Sequence, residues 1–236
     1  MTRTFEEARD WVRLGTALLT GAADAGDAVL DAPSVLPGWS RKHVVAHVAA
    51  NADALGNLVH WAATGEQTPM YASAEERAEG IAKGAALPAA ELTGWLRGSA
   101  AELETATAAL GAEQWRAEVV TAQGRTVPAT ELPWMRAREV CVHAVDLGRG
   151  VTFADLPAGF LSALCDDVVA KRAAARTGPA VRLVPTDADA RWELPGTGAP
   201  AEVTGPLHEL TAYLTGRPAT PTTRHGGPVP RLGPWL

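Results

Sequence analysis

The stretch WMRAREVCVHAVDLG, residues 134–148, carries a carboxylate and an imidazole in a largely apolar sequence that is predicted to be a helix. Glu139 and His143 are four residues apart, so on a helix they lie on the same face. A lone buried carboxylate is driven towards its neutral form, and an unpaired buried polar group costs roughly 1–3 kcal/mol. The chain must therefore fold so that partners from another segment reach this face.

A second helical stretch carries residues that can act as those partners. It begins after Ser40, a suitable N-cap, and ends at Gly65. Helical spacing places three of its polar residues on one stripe: His43, His47 and Asn51. Because helical bundles build metal sites from facing helices, one histidine of this stretch with Glu139 and His143 would form a His2Glu set. Three protein ligands with one open position are typical of a catalytic zinc site.

Each of these residues also has a purely structural interpretation, which spacing alone leaves open. Glu/His pairs four residues apart are common as solvated pairs or as core histidines with ordinary partners. His43 could be exposed in the first turn, Asp146 could be a helix-end carboxylate bonded to a nearby donor, and Asn51 could bond between helices. His47 is harder to explain in this way, because valines and alanines surround it on a helix that is mostly apolar on both sides.

Two arginines are further candidates for binding. Arg125 and Arg217 each follow a glycine, and each could hold a carboxylate through the two-pronged guanidinium. A surface arginine is the competing interpretation for both, and it is the more common case.

Four long helical stretches precede residue 150, and they predict a four-helix bundle. They are residues 4–25, 40–65, 88–110 and 133–148. A short helix is expected after Ser73, where Glu76 completes a capping-box pattern, and TAQGRTVPATELP is expected to be a loop or short hairpin. Connections of about 20 residues are unusual in a bundle, which suggests that these segments cover a functional site.

The pattern changes near residues 150–156, and the part that follows is predicted to be α+β. A helix from about Pro157 to Arg176 precedes AVRLVPTDADARWELPG, which alternates like two strands around a polar turn. AEVTG predicts another strand and PLHELTAYLTG a helix, while the end of the chain is irregular. We therefore expect two domains, a metal-binding bundle at residues 1–153 and an α+β domain at residues 154–236.

Charge and hydropathy exclude several classes of partner. The chain has a net charge of −6 and no dense block of lysine and arginine, so neither nucleic acid nor an anionic membrane is an expected partner. No run approaches about 18 apolar residues, and the N-terminus has acids where a signal peptide has an apolar core. A cytoplasmic protein is therefore expected. In that reducing compartment Cys141 and Cys165, which lack metal-site spacing, are expected to be buried small hydrophobes.

Three segments resemble one protein family, and together they span almost the whole chain. They are LPGWSRKHVVAHVAANADALGNLVHWAATGEQTPMY, VTAQGRTVPATELPWMRAREVCVHAVDLG and YLTGR. These segments are similar to the mycothiol-dependent maleylpyruvate isomerases of actinobacteria, a family within the DinB-like thiol-dependent superfamily. The resemblance implies a mostly α protein, with a DinB-like four-helix bundle that holds a metal ion and a smaller α+β domain after it.

The resemblance also implies which residues act. The zinc ligands of the family, in its HVVAH and REV-x-x-HAVDLG elements, fall on His47, Glu139 and His143. These are the residues that helical spacing also selects. The family's arginine near the C-terminus falls on Arg217, which favours a catalytic role for this residue over a surface one.

The implied activity is a zinc- and mycothiol-dependent cis–trans isomerisation of maleylpyruvate to fumarylpyruvate in gentisate degradation. A thiol bound to a metal is deprotonated, so mycothiol would add to the cis double bond as thiolate, permit rotation and then leave. Arg217 would hold a substrate carboxylate and stabilise the enolate charge. The implied partners are a small-molecule substrate and a thiol cosubstrate, and the protein is expected to be a monomer.

Two other functions remain open at this point. One is a mycothiol transferase or conjugating enzyme of the same superfamily that acts on other electrophiles. The other is a non-catalytic zinc-binding regulatory module, which would be expected to close its metal site with a fourth protein ligand. No fourth ligand is evident in the sequence, and the residues alone do not select mycothiol over glutathione or bacillithiol.

Overall fold

A computed structural model describes residues 3–175 and 178–233 of the chain. The chain divides into two compact units, one at Thr4–Val151 and one that begins at Thr152. The first unit is helical, and the second combines helices with a small sheet, so the predicted mostly α fold with a smaller α+β part is confirmed. Within the described residues, no helix combines the length and the hydrophobicity needed to cross a membrane.

The first unit is built on four long helices joined by shorter elements. Its helices are α1 (Phe5–Ala23), α2 (Asp27–Leu30), α3 (Arg41–Thr64), α4 (Ala74–Ala85), α5 (Ala89–Ala108), α6 (Ala112–Arg116) and α7 (Leu132–Asp146). Two antiparallel strands, β1 (Glu118–Val120) and β2 (Thr126–Pro128), form a hairpin between α6 and α7. The long helices α1, α3, α5 and α7 are those that the sequence predicts. The short helices α2 and α6 were not predicted.

Capping residues fix where the long helices begin and end. The Thr4 Oγ1 accepts a hydrogen bond from the Glu7 N–H, and the Glu7 carboxylate accepts one from the Thr4 N–H. Ser40 begins α3 by accepting from the His43 N–H, and Gly65 ends it in the left-handed conformation, at a φ of 81°. The predicted start at Ser40 and the predicted stop at Gly65 are thus confirmed.

Apolar faces hold the bundle together. α1 packs along α7, α3 packs along α5, and α3 also contacts α7. The approach of α1 to α7 is close because Gly15, on α1, faces Val140 and Cys141 with no side chain of its own. The interior is filled by fully buried leucines of α1, α3 and α5 and of the turn after α7: Leu19, Leu55, Leu58, Leu92, Leu96 and Leu147. Burial of this apolar surface is the main favourable term in folding.

The connections between the long helices contain secondary structure of their own. Ser73 caps α4 by accepting from the Glu76 N–H, while the Glu76 carboxylate accepts from the Ala72 N–H. α4 and strand β1 both pack against α3. The two longest connections therefore cover the helix that carries His47.

The second unit contains α8 (Ala158–Ala175), α9 (Leu207–Leu214) and the strands β3 (Pro179–Pro185), β4 (Trp192–Leu194), β5 (Thr197–Gly205) and β6 (Thr222–Thr223). The sheet order is β4-β3-β5-β6, with β3 antiparallel to β4 and parallel to β5. The predicted strand pair, the third strand and the following helix are confirmed. The short β6 lies in a segment that was expected to be irregular. The predicted end of α8 at Arg176 lies outside the described residues.

Both cysteines are buried in helix contacts. The Cys141 thiol donates to the Trp11 carbonyl of α1, and the Cys165 sulfur lies 3.3 Å from the Thr211 Oγ1 of α9. Burial raises the pKa of each thiol to about 12. Such cysteines behave as small hydrophobes rather than as reactive thiols, as expected.

Candidate metal centre

Three side chains from α3 and α7 meet in the first unit: His47, Glu139 and His143. Each offers one ligand atom, and these atoms lie within 4.8 Å of one another. The His47 Nε2 is 2.9 Å from the Glu139 Oε2, and the His143 Nε2 is 3.4 Å from the same oxygen. The structure thus brings together the three residues that helical spacing and family resemblance both select.

Packing of α3 against α7 positions the two imidazole rings. The side chains of His47 and His143 are 8% and 13% exposed, and their rings meet edge to face with centroids 4.8 Å apart. Trp39, just before α3, lies edge-on to His47 at a centroid distance of 5.6 Å. The three groups are therefore neither a solvated pair nor isolated core histidines. They form one largely buried polar cluster.

Asp146 orients His143 by bonding the ring nitrogen on the side away from Glu139. Its side chain is fully buried, and its Oδ2 is 2.8 Å from the His143 Nδ1. Because a carboxylate only accepts, the Nδ1 carries a proton, and the Nε2 is the nitrogen that faces Glu139. Asn51, for which the sequence left open a hydrogen bond between helices, accepts from the Arg136 NH1 of α7 at 2.9 Å.

Burial and mutual hydrogen bonds set the protonation of the cluster. Burial would raise the pKa of Glu139, but hydrogen bonds to His143 and His47 outweigh it and hold that pKa well below its usual value. Burial lowers the pKa of His47. Burial also acts to lower the pKa of His143, but hydrogen bonds to Asp146 and Glu139 outweigh it and raise that pKa to about 9. With no metal ion bound, an ionised carboxylate therefore lies between one neutral and one protonated imidazole at neutral pH.

Arg77, on α4, is a candidate that the sequence analysis missed. Its NH2 is 3.3 Å from the His47 Nδ1, and its guanidinium carbon lies 5.9 Å from the centroid of the Tyr71 ring. Arginine only donates hydrogen bonds, so the His47 Nδ1 accepts here. Nothing in the sequence AEERAEGIAKGA distinguishes Arg77 from the other charged residues of a solvated helix, because only the packing of α4 on α3 brings it to His47.

The residues of the cluster fit a divalent metal ion such as zinc. Two imidazoles and a carboxylate are a common zinc donor set, and zinc-binding histidines are usually bonded to a carboxylate through their other nitrogen, as His143 is to Asp146. Within the described residues, no fourth His, Cys, Asp or Glu joins the cluster. Cys141 is on the same helix, but its sulfur faces α1. The donor set therefore leaves a coordination position for a ligand from outside the chain.

His43 and Arg125 have other surroundings in the first unit. The His43 Nδ1 lies 2.7 Å from the Ser40 Oγ, so this histidine is part of the cap of α3. Arg125 is exposed beside the turn of the β1–β2 hairpin, in agreement with a surface arginine. Arg217 is in the second unit, just after α9, where its NH1 donates to the Thr215 carbonyl at 2.7 Å.

Comparison with known families and structures gives matches in both parts of the chain. A family model described as the mycothiol maleylpyruvate isomerase N-terminal domain matches residues 11–148, and one described as the MDMPI C-terminal domain matches residues 155–234. Two crystal structures are similar to this chain, one of the mycothiol-dependent maleylpyruvate isomerase and one of a histidine-to-alanine mutant of it. Each is 39% identical to this chain with a TM-score of 0.94, and the alignment covers 100% of both chains. Curated protein sequences gave no match.

Proposed function

The chain belongs to the mycothiol-dependent maleylpyruvate isomerase family, and from that premise we propose that it converts maleylpyruvate to fumarylpyruvate with mycothiol as its thiol. It is an enzyme of the cis–trans isomerase class, with a small-molecule substrate and a thiol cosubstrate. The observation that carries the proposal is the cluster of His47, Glu139 and His143, whose donor set leaves a position for an outside ligand.

We propose that these three residues hold the metal and that the metal is zinc. A divalent ion in this place lowers the pKa of a thiol that reaches it, so that the thiol is ionised at neutral pH. Asp146 holds the His143 ring so that its Nε2 faces the cluster. To bind a metal through its Nε2, His47 must carry its ring proton on the Nδ1. The Nδ1 then no longer accepts a hydrogen bond from the Arg77 guanidinium, which becomes available for another acceptor.

The proposed chemistry needs no nucleophile from the protein. The mycothiol thiolate adds to the cis C=C bond of maleylpyruvate, and the electron pair of that bond moves to the conjugated carbonyl oxygen as an enolate. The carbon–carbon bond is then single and rotates, after which the enolate collapses, re-forms the double bond in the trans geometry and expels the thiolate. The protein contributes by binding the carboxylates and stabilising the enolate charge.

Two guanidinium groups are proposed for those tasks. We propose that Arg217 binds a substrate carboxylate. This role rests on the family resemblance of the YLTGR segment and on the bidentate geometry of arginine. We propose that Arg77 stabilises the negative charge that develops on the substrate beside the cluster, because its NH2 is 3.3 Å from the His47 ring. We also propose that the enzyme is cytoplasmic and monomeric. Light scattering after size-exclusion chromatography tests the second point, since a monomer has a mass of 24.6 kDa.

The two rival functions make different demands on the same site. A mycothiol-conjugating enzyme would use the same thiol position but retain the thiol in its product, so a panel of electrophiles separates it from an isomerase. A regulatory zinc module would be expected to have a fourth protein ligand, and among the described residues the cluster has three.

The test is an assay of the full-length chain with zinc, mycothiol and maleylpyruvate. We expect fumarylpyruvate to form while the mycothiol is recovered unchanged, and glutathione in its place tests the choice of thiol. His47→Ala should lose both metal and activity, whereas His60→Ala, an exposed histidine of the same helix, should keep both. Full activity in a metal-free sample, or a thioether as the stable product, would contradict the proposal.

A further inference from the structure

The Arg77 guanidinium reaches the metal centre from α4, which packs on α3. Its side chain is half-buried, and its NH2 is 3.3 Å from the His47 Nδ1. Within the described residues Arg77 forms no ion pair. The neighbouring carboxylates of α4 are used elsewhere, because Glu76 bonds the backbone before the helix and Glu79 pairs with Lys83. An arginine side chain has several rotatable bonds, so another contact must determine where this guanidinium points.

The ring of Tyr71 provides such a contact. The guanidinium carbon of Arg77 lies 5.9 Å from the centroid of this ring, which is within the range of a cation–π contact. Tyr71 precedes α4, and Arg77 lies in the first turns of that helix. Burial raises the pKa of Tyr71, against the opposite effect of the Arg77 charge, so the phenol is neutral at neutral pH. The contact is therefore between a cation and an aromatic face, and it is not an ion pair.

The chain around Tyr71 is anchored to α3 and to the β1–β2 hairpin. The Asn57 side-chain amide of α3 donates to the two backbone carbonyls that precede Tyr71, at 3.2 and 3.4 Å. The side chain of Met70 is buried, and its Sδ accepts from the Ala122 N–H of the hairpin at 3.3 Å. Tyr71 itself packs against the apolar cluster that contains Met70. The ring is therefore a fixed surface on which a flexible side chain can rest.

The contact between Tyr71 and Arg77 becomes more important in the metal-bound state. If His47 binds the metal through its Nε2 as proposed, its ring proton lies on the Nδ1, which no longer accepts from Arg77. Of the contacts that Arg77 makes with the described part of the chain, the one with Tyr71 is then retained. Without this ring, a long charged side chain at the surface would extend into water and away from the centre.

We propose that Tyr71 is a positioning residue, whose ring face holds the Arg77 guanidinium beside the metal centre. The cation is then in place to meet the negative charge that develops on the substrate. This catalytic consequence rests on the proposed function, whereas the placement of Arg77 next to His47 does not. Tyr71 acts through its aromatic face and needs no chemistry of its hydroxyl. The proposal gives a task to GEQTPMY, the segment that ends with this tyrosine.

The first test measures the kinetics of the full-length protein at full zinc occupancy. Tyr71→Leu should lower the kcat for maleylpyruvate about three- to tenfold with little change in KM, the range that a cation–π contact provides. Tyr71→Phe keeps the aromatic face and should retain most of the kcat. In the Arg77→Gln background, Tyr71→Leu should have no further effect, because Tyr71 acts through Arg77. A loss in Tyr71→Phe equal to that in Tyr71→Leu, or an equal loss with and without Arg77, would overturn the proposal.

The second test needs no substrate, so it remains valid if the parent chain does not isomerise maleylpyruvate. Tyr71→Leu should raise the affinity for zinc a few-fold in a chelator competition, because the Arg77 cation is no longer held beside His47. Tyr71→Phe should leave this affinity unchanged. The matched control is Trp61→Leu, which removes a partly buried aromatic ring from the same apolar cluster near the other end of α3, and it should change neither the affinity nor the kcat. An unchanged affinity in Tyr71→Leu, or an equal rise in Trp61→Leu, would refute the positioning role.

Discussion

Asp146 shows how a residue outside the cluster of His47, Glu139 and His143 can govern the geometry of the cluster. Its carboxylate is fully buried and bonds the His143 Nδ1, so it fixes both the orientation of the ring and the nitrogen that faces the cluster. It also favours a positively charged imidazole when no metal is bound, because its charge raises the pKa of His143. The orientation of the His143 ring is therefore set within α7 itself.

Asp146→Asn tests this role. The amide keeps the size of the side chain but loses its charge, so His143 becomes a weaker and less firmly oriented ligand. We expect the affinity for zinc to fall by about 10–100-fold, the usual cost of losing a partner behind a ligating histidine. A competition titration against a zinc chelator measures it, and an unchanged affinity would show that packing alone orients the ring.

The Arg77→Gln variant should show two separate effects, one on the affinity for zinc and one on catalysis. Loss of the guanidinium removes a cation from beside the metal and a hydrogen bond that favours the wrong tautomer of His47, so the affinity for zinc should rise a few-fold. Its loss also removes the donor proposed for the negative charge that develops on the substrate, so at full zinc occupancy the kcat for maleylpyruvate should fall about tenfold or more. Arg77→Lys should restore part of the kcat. Unchanged kinetics at full occupancy would leave Arg77 with a structural role only.

The residues of the cluster differ in how far the sequence could predict them. Glu139 and His143 were predictable because four-residue spacing on a helix fixes a shared face. His47 was predictable because a buried imidazole among valines needs a partner. Arg77 was not, because its place depends on the path by which α4 returns over α3, and the sequence did not identify Asp146 as the partner of His143.

At the scale of elements, the contact between α1 and α7 leaves no room for a side chain at Gly15. A Cβ at Gly15 would lie 2.6 Å from both the Cys141 Sγ and the Val140 Cγ2, so the two helices must move apart to admit it. Val140 and Cys141 lie between Glu139 and His143, so a shift of α7 also moves two of the three cluster residues.

Gly15→Ala should therefore destabilise the protein although alanine favours a helix. We expect a loss of about 1–3 kcal/mol, typical of overpacking, in urea unfolding. The matched control is Gly21→Ala on the same helix, where a Cβ meets nothing within 4 Å, and it should gain up to about 1 kcal/mol. Stabilisation of both variants would mean that α1 and α7 separate without cost.

Asp27 connects the N-terminal ends of three helices. Its hydrogen bonds predict that the protein loses stability as the pH falls. Its Oδ1 accepts from the Lys42 Nζ at 2.6 Å and from the Ala89 N–H at 2.9 Å, which links α2 to α3 and α5. The bond from Lys42 and then that from Ala89 lower the pKa of Asp27. The stabilisation is therefore present above the unfolded pKa of about 3.9 and disappears as the pH falls through the lowered value.

Asp27→Asn should be less stable than the parent chain at pH 7, and the difference should shrink below about pH 4. Urea unfolding at several pH values measures it. Asp10→Asn, which alters only an exposed pair within α1, should have little effect at any pH. A difference between Asp27→Asn and the parent that does not depend on pH would assign the effect to shape rather than charge.

The ends of the elements were predictable wherever the chemistry that fixes them is local. Thr4, Ser40 and Gly65 each act on backbone groups within four residues, so the sequence is sufficient to locate them. The helices α2 and α6 are too short to show a period, and β6 has only two residues.

At the scale of the whole molecule, the metal centre should contribute to the stability of the fold. A metal that binds only the folded state stabilises it by about 2.7 kcal/mol at 100 times the Kd. For a chain of this size, that corresponds to a rise in Tm of roughly 5–10 °C. Chelation of the metal should lower the Tm by this amount in a calorimetric scan. His47→Ala should melt at the same temperature with and without the chelator, and an unaffected Tm in the parent chain would mean that no metal is held.

The distance along the chain between the cluster residues has a consequence for how the protein matures. His47 and Glu139 are 92 residues apart, and closing so long a loop costs entropy that only the finished bundle repays. In a chain that has not yet folded, only Glu139 and His143, which are one helical turn apart, are close enough to bind the same ion. Two ligands bind an ion weakly. If the three cluster residues hold the metal as proposed, tight binding requires the docking of α3, and the metal content of a preparation would measure the fraction of molecules that have folded.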